Sequence, residues 1–201
     1  MEEVKALNKG IGLEDVSFAA FEALYDGLNY QLGVVQTERV PRDQKMAAMR
    51  NQEYQLVELE RVESQNFFLG HVPSLILDET PVENYPVVSV MAYRADPDPS
   101  DSSNDQMSVY VDRLYTETIV KSSPKEGEEM CNRRIWRTCD AIHRVLSLNQ
   151  DLNGSIFGLG TSPTVIISEV FTRSYSDTDD TDWFWQAGRI EYGVSKFSPF
   201  Q

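Results

Sequence analysis

GEEMCNRRIWRTCDAIHRVLSLN, residues 127–149, decides how the rest of the chain is read. Cys131, Ile135, Cys139 (with Thr138), Ile142 and Leu146 recur at three- and four-residue steps, and Trp136 and Val145 widen the stripe. With 3.6 residues per turn, that spacing gathers them on one face of an α-helix. Glu128 and Glu129 stand at its start and Arg144 near its end, where the helix dipole favours each charge. Asn149 suits the C-terminal position. A helix with one apolar stripe must bury it against another layer.

The flanking sequence supplies that layer. VVSVMAYRA (87–95) reads as a buried strand. MSVYVDRLYTETIVKS (107–122) reads as a long one: Met107, Val109 and Val111 alternate with Ser108, Tyr110 and Asp112, and Thr116, Thr118 and Val120 favour the β region. Ser123 and Pro124 close it. Between the two lies an acidic, Pro/Ser-rich loop, DPDPSDSSND (96–105). After the helix, Asn153-Gly154 signals a turn. TVIISEVFTRSY (164–175) is a strand with Val165, Ile167, Glu169, Phe171 and Arg173 on one face. SDTDDTD (176–182) is an acidic turn, and WFWQAGRIEYGVSKF (183–197) returns, making a hairpin.

Towards the N-terminus, Val16, Ala20, Phe21, Leu24, Tyr25, Leu28 and Leu32 have helical spacing over 16–32, with Asp15 or Ser17 as cap and Gly33 as stop. Residues 41–66 read two ways. The part up to Arg50 suits a short helix or a loop. From Tyr54 to Val62 the alternation of Val57 and Leu59 with Glu58 and Glu60 suits extended chain. Residues 66–86 are aromatic and apolar but broken by Gly70, Pro73, Pro81 and Pro86, which predicts irregular extended chain. The expected fold class is α+β: a mostly antiparallel mixed sheet flanked by the long helix and the N-terminal helix. The expected organisation is a single domain over 1–201, with 33–66 as an arm or extension within it.

The 201 residues are 41% apolar and include nine Phe, nine Tyr and three Trp, enough for a real core. Net charge is −14, from 32 acidic and 18 basic residues, a surface that repels nucleic acid. No stretch approaches 18 apolar residues, so no transmembrane helix is expected. The start, MEEVKALNKGIG, lacks the basic and apolar regions of a signal peptide, which predicts synthesis and folding in a cytosol.

Composition offers little to catalysis, and neither an enzyme nor a cofactor is expected. Cys131 and Cys139 lie eight residues apart on the helix, roughly 12 Å and too far for a disulfide. They read as buried thiols. His71 and His143 are the only histidines, too few for a zinc site. Asp177, Asp179, Asp180 and Asp182 superficially resemble a calcium loop, but Asp182 and Gly188 occupy the sixth and twelfth positions, where Gly and Glu are needed. Those four, with Asp96, Asp98, Asp101 and Asp105 of the earlier loop, would repel phosphates if they faced a DNA channel, and are candidate lumen-facing residues. Arg133, Arg137 and Arg144 on the long helix are expected to face outward and are candidate subunit-interface residues.

The order of these pieces has a likeness. FFLGHVPSLI (67–76), ENYPVVSVMAY (83–93), DQMSVYVDRLYTETIVKS (105–122), NRRIWRTCDAIHRVL (132–146), NGSIFG (153–158) and the final hairpin follow an N-terminal helix. Over about residues 66–200 this resembles the tail-terminator (tail-completion) proteins of long-tailed bacteriophages. The resemblance implies a non-enzymatic virion protein of the neck or tail, assembled in the host cytoplasm. It would form a homo-oligomeric ring, usually a hexamer, that caps the tail tube. Its partners would be the tail tube protein and a head-completion or connector protein. DNA would pass through the lumen without specific binding, and no membrane is involved. The alternative is another neck or tail component, a head-closure protein or a tail tube subunit.

Overall fold

The computed structural model describes residues 13–70, 85–97, 110–150, 152, 157–159, 163–174 and 182–196. Within them the fold is α+β. Helix α1 (Leu13–Met49) is followed by a 3₁₀ turn (Ser64–Asn66) and strands β1 (Phe67–Leu69), β2 (Val87–Pro97) and β3 (Tyr110–Ser122). Helix α2 (Gly127–Leu148) comes next, then β4 (Phe157–Leu159), β5 (Thr164–Ile167), β6 (Phe171–Ser174) and β7 (Asp182–Lys196).

The sheet order is β1-β2-β3-β7, with β4, β5 and β6 following one another along the far side of β7. β1 runs parallel to β2, and the other pairings are antiparallel. The long hairpin expected over 164–197 forms, but its first arm is interrupted at 168–170. There Ser168 takes the place of a ladder residue. Its N–H donates to the Ala187 carbonyl, its Oγ accepts from the Ala187 N–H, and its carbonyl accepts from Gln186 Nε2. The single face expected for Val165 through Arg173 is therefore broken, and Val165 and Ile166 are exposed.

Both helices lie on one face of the sheet. The α2 stripe of Cys131, Ile135, Cys139, Ile142 and Leu146 is buried as its spacing predicts, joined by Met130, Ala141 and Val145. Trp136 is not part of it; it points to solvent. Gly188 on β7 admits the helix closely, because a Cβ there would collide with Cys139 Sγ. Val88, Val90, Leu114, Ile190 and Val194 complete the core from the sheet.

Helix α1 departs most from expectation. It runs 37 residues, roughly 55 Å, straight through Gly33 and Pro41. Both positions are exposed, so the missing side chain and the missing N–H fall on the solvent side. Val35 and Asp43 are buried beyond them and hold the second half against α2, antiparallel to it. Gly27 lets the helices approach: a Cβ there would stand 3.2 Å from Val145 Cγ1. The arm expected at 33–66 is thus half helix, docked on its own chain.

Residues 52–63 are extended but join no strand. Val57 and Leu59 point inward, as their alternation predicts, and Val62, out of phase with them, is buried as well. The backbone is held by α1 side chains two turns apart. Asn29 Nδ2 donates to the Val62 carbonyl and its Oδ1 accepts from the Val62 N–H, each at 2.9 Å. Gln36 Oε1 accepts from the Leu59 N–H at 2.9 Å. Two amides thus do what a neighbouring strand would do for these buried groups.

Candidate functional site

The charged residues of the two helices meet along one seam. On α1, Glu38, Arg39, Arg42, Asp43 and Met46 recur at helical steps, and on α2 so do Arg133, Trp136, Arg137, Asp140 and Arg144. Asp43, 4% exposed, is the centre. Arg137 Nη2 donates to Asp43 Oδ1 at 2.7 Å and to Oδ2 at 2.8 Å. Arg133 Nη2 stands 2.6 Å from Oδ1, an ionic contact whose angle does not suit a hydrogen bond. Further along, Arg39 meets Asp140 at 2.9 Å, and Arg144 meets Glu38 at 2.8 Å and Asp140 at 3.3 Å.

A second arginine ties the start of α2 to the extended segment. Arg134 donates to both oxygens of Glu126, at 2.6 and 3.0 Å, and to the carbonyls of Glu58 and Lys121. Burial pushes the Glu126 carboxyl up, but Arg134 and the Ser123 N–H and hydroxyl outweigh it and hold it below its ordinary range. Nearby Glu60 goes the other way: burial raises it, and Lys121 and Arg134 only partly oppose that.

Two depressions flank the Asp43–Arg133 pair. One, of about 370 Å³, is lined by Arg50, Tyr54, Glu126, Glu129 and Met130. The other, of about 250 Å³, is lined by Arg39, Arg42, Arg137, Asp140 and Trp136. Arg42 is exposed and has no ionic partner among the described residues. Five guanidiniums (Arg39, Arg42, Arg133, Arg137, Arg144) here face three carboxylates (Glu38, Asp43, Asp140), an excess of positive charge in a chain of −14.

These positions correct the expectation for the three arginines. Arg137 is 8% exposed, and Arg133 shares its carboxylate, so neither faces outward as a free charge. Arg144 is engaged by Glu38 and Asp140. The reason is the second half of α1, whose acidic residues lie against them. The residues that do present themselves at the seam are Arg42, to which the sequence pattern gives no role, and Trp136, which that pattern places in the apolar stripe. The signal for Arg42 was available: Arg39, Asp43 and Met46 share its helical period once Pro41 is accepted inside a helix.

Of the candidate lumen residues, Asp96 lies at the end of β2 opposite Val111, and Asp182 opens β7 opposite Ser174. Asp98, Asp101, Asp105, Asp177, Asp179 and Asp180 lie outside the described residues, as does His71. His143 is half-buried on α2 with Ser147 Oγ 3.4 Å from Nδ1. Cys131 and Cys139 are free thiols, both pushed up to about 12 by burial. Among the described residues no group of three or more His, Cys, Asp or Glu is placed to hold a metal, and no helix is long and apolar enough to cross a membrane. No protein-family model matches the chain, and no curated protein matches it.

Proposed function

We propose that this chain is a structural subunit that associates head to tail into a closed ring at the neck of a long-tailed phage, capping the tail tube and joining it to a head-completion protein. The observation that carries ring association is the pair of unlike edges of one sheet, to which no further strand is paired among the described residues. At one end stands β1, with Leu69 exposed and a ladder of rings beside it. Phe18 stacks on Phe21, Phe21 on Tyr25, and Phe67 of β1 meets Phe21 and Tyr25 edge-on. At the other end is the broken edge, where Val165 is 41% and Ile166 49% exposed.

Exposed edges with apolar side chains call for a partner. Two copies of one edge would leave the other bare. Pairing each edge with its unlike counterpart is heterologous, and covers both when the rotation closes. The place of that ring in a virion rests on the resemblance of the ordered segments from Phe67 to the final hairpin, and on the acidic balance of the chain. The acidic loop between β2 and β3, with Asp98, Asp101 and Asp105, is the segment assigned to the lumen, where carboxylates keep DNA from sticking. In a phage carrying this gene, its deletion should leave tails of uncontrolled length or heads without tails. Normal virions after deletion would remove the proposal.

A further inference from the structure

We infer that the arginine groove between α1 and α2 receives the acidic segment SDTDDTD (176–182) of a second copy of this chain. The inference rests on the ring reading for the position of the second copy, and on the groove itself for the chemistry.

The groove is short of carboxylate. Asp43 is shared by Arg133 and Arg137, which leaves one buried positive charge without a counter-ion, and Arg137 Nη1, itself buried, has no acceptor among the described residues. An uncompensated buried charge is costly, so a second carboxylate is favoured there. Arg42, at the rim, has no ionic partner among the described residues and can meet another. Trp136, 57% exposed, supplies an apolar floor beside them. Guanidinium forks suit planar carboxylates. A depression of about 250 Å³ holds a few side chains, not a nucleic-acid strand, and the chain's charge of −14 disfavours a long polyanion.

The topology selects the occupant. Ser174 and Asp182 pair at the β6–β7 end of the sheet, so 175–181 leaves from there. That end is also where β3 stops, at Ser122, and α2 begins, at Gly127. The groove lies on the first half of α2. In a ring built edge to edge, one subunit's Ser174–Asp182 pair, from which the segment departs, lies at the level of its neighbour's groove. The β2–β3 loop leaves from the opposite end, where Pro97 pairs with Tyr110. Asp177, Asp179, Asp180 and Asp182 are thereby assigned to a subunit contact and not to the lumen.

The test is titration of the full-length protein, at a concentration below assembly, with a synthetic peptide of residues 175–182 (YSDTDDTD), followed by tryptophan fluorescence. The expected result is saturable binding that weakens with salt. Arg42→Glu should weaken it by at least about tenfold, and Trp136→Ala should remove the fluorescence change; both positions are exposed, so the fold should survive. No saturable binding, equal binding by Arg42→Glu, equal binding of polyglutamate, or binding of oligothymidylate in place of the peptide would each overturn the assignment. Light scattering on the same protein separates the two readings. A ring with no peptide binding removes only the groove's role, and peptide binding by a strict monomer removes only the ring.

Discussion

Arg137 grips both oxygens of Asp43 across 94 residues of sequence, and the pair is sealed between α1 and α2. Removing the carboxylate strands two guanidiniums at once. Asp43→Ala should therefore destabilise the fold by about 3–5 kcal/mol. Arg137→Met should cost less, because Arg133 still neutralises Asp43. Urea unfolding of the two variants checks the order; an equal or reversed order contradicts the shared-carboxylate arrangement.

Gly188 faces Cys139 with no room for a methyl group. Gly188→Ala should cost about 1–3 kcal/mol by overpacking. Combining it with Cys139→Ala should cost less than the two changes added, since the shortened side chain makes room. Strict additivity in thermal unfolding would show that α2 does not sit on β7 as described.

Asn29 is the clamp on the extended segment. Asn29→Ala leaves the Val62 N–H and carbonyl without partners and should cost about 1–3 kcal/mol. The loss should appear first as faster proteolytic cutting within 52–63. Unchanged cutting would mean that packing of Val57 and Leu59 alone holds the segment.

Glu60 makes stability depend on pH. Its folded pKa is raised above the ordinary 4.5 by burial, so in the window above 4.5 the folded state binds more protons than the unfolded state. Stability from this group is complete below that window and is lost as pH rises through the folded value. Glu60→Gln should thus stabilise the protein at pH 7 and change little at pH 4. Equal effects at the two pH values would contradict the burial.

Much of the fold is legible in the sequence where one buried face imposes a single period. The α2 stripe, β2, β3 and the returning strand β7 are of that kind, whereas the first arm of the hairpin loses its single face at Ser168. The second half of α1 is not, because Gly33 and Pro41 signal breaks locally while Val35 and Asp43, buried against a distant helix, outweigh them. The alternation at Val57 and Leu59 gives the correct inward face, but the partners of that backbone are the Asn29 and Gln36 side chains, which no local pattern announces. The site suffers from the same gap. Arg133 and Arg137 look like an outer face until the phase of α1 places Asp43 on them. Trp136 looks apolar by composition, yet only its surroundings decide which side of α2 it takes.

The central claim is that unlike sheet edges close the chain into a ring. The most direct measurement is the mass of the purified full-length protein by light scattering, with negative-stain microscopy of the same sample. The expected result is one discrete oligomer that appears as a closed ring, and that reverts to monomer when Val165 and Ile166 on the broken edge are replaced by Lys. A strict monomer at every concentration, or open tubes of indefinite length, would contradict it.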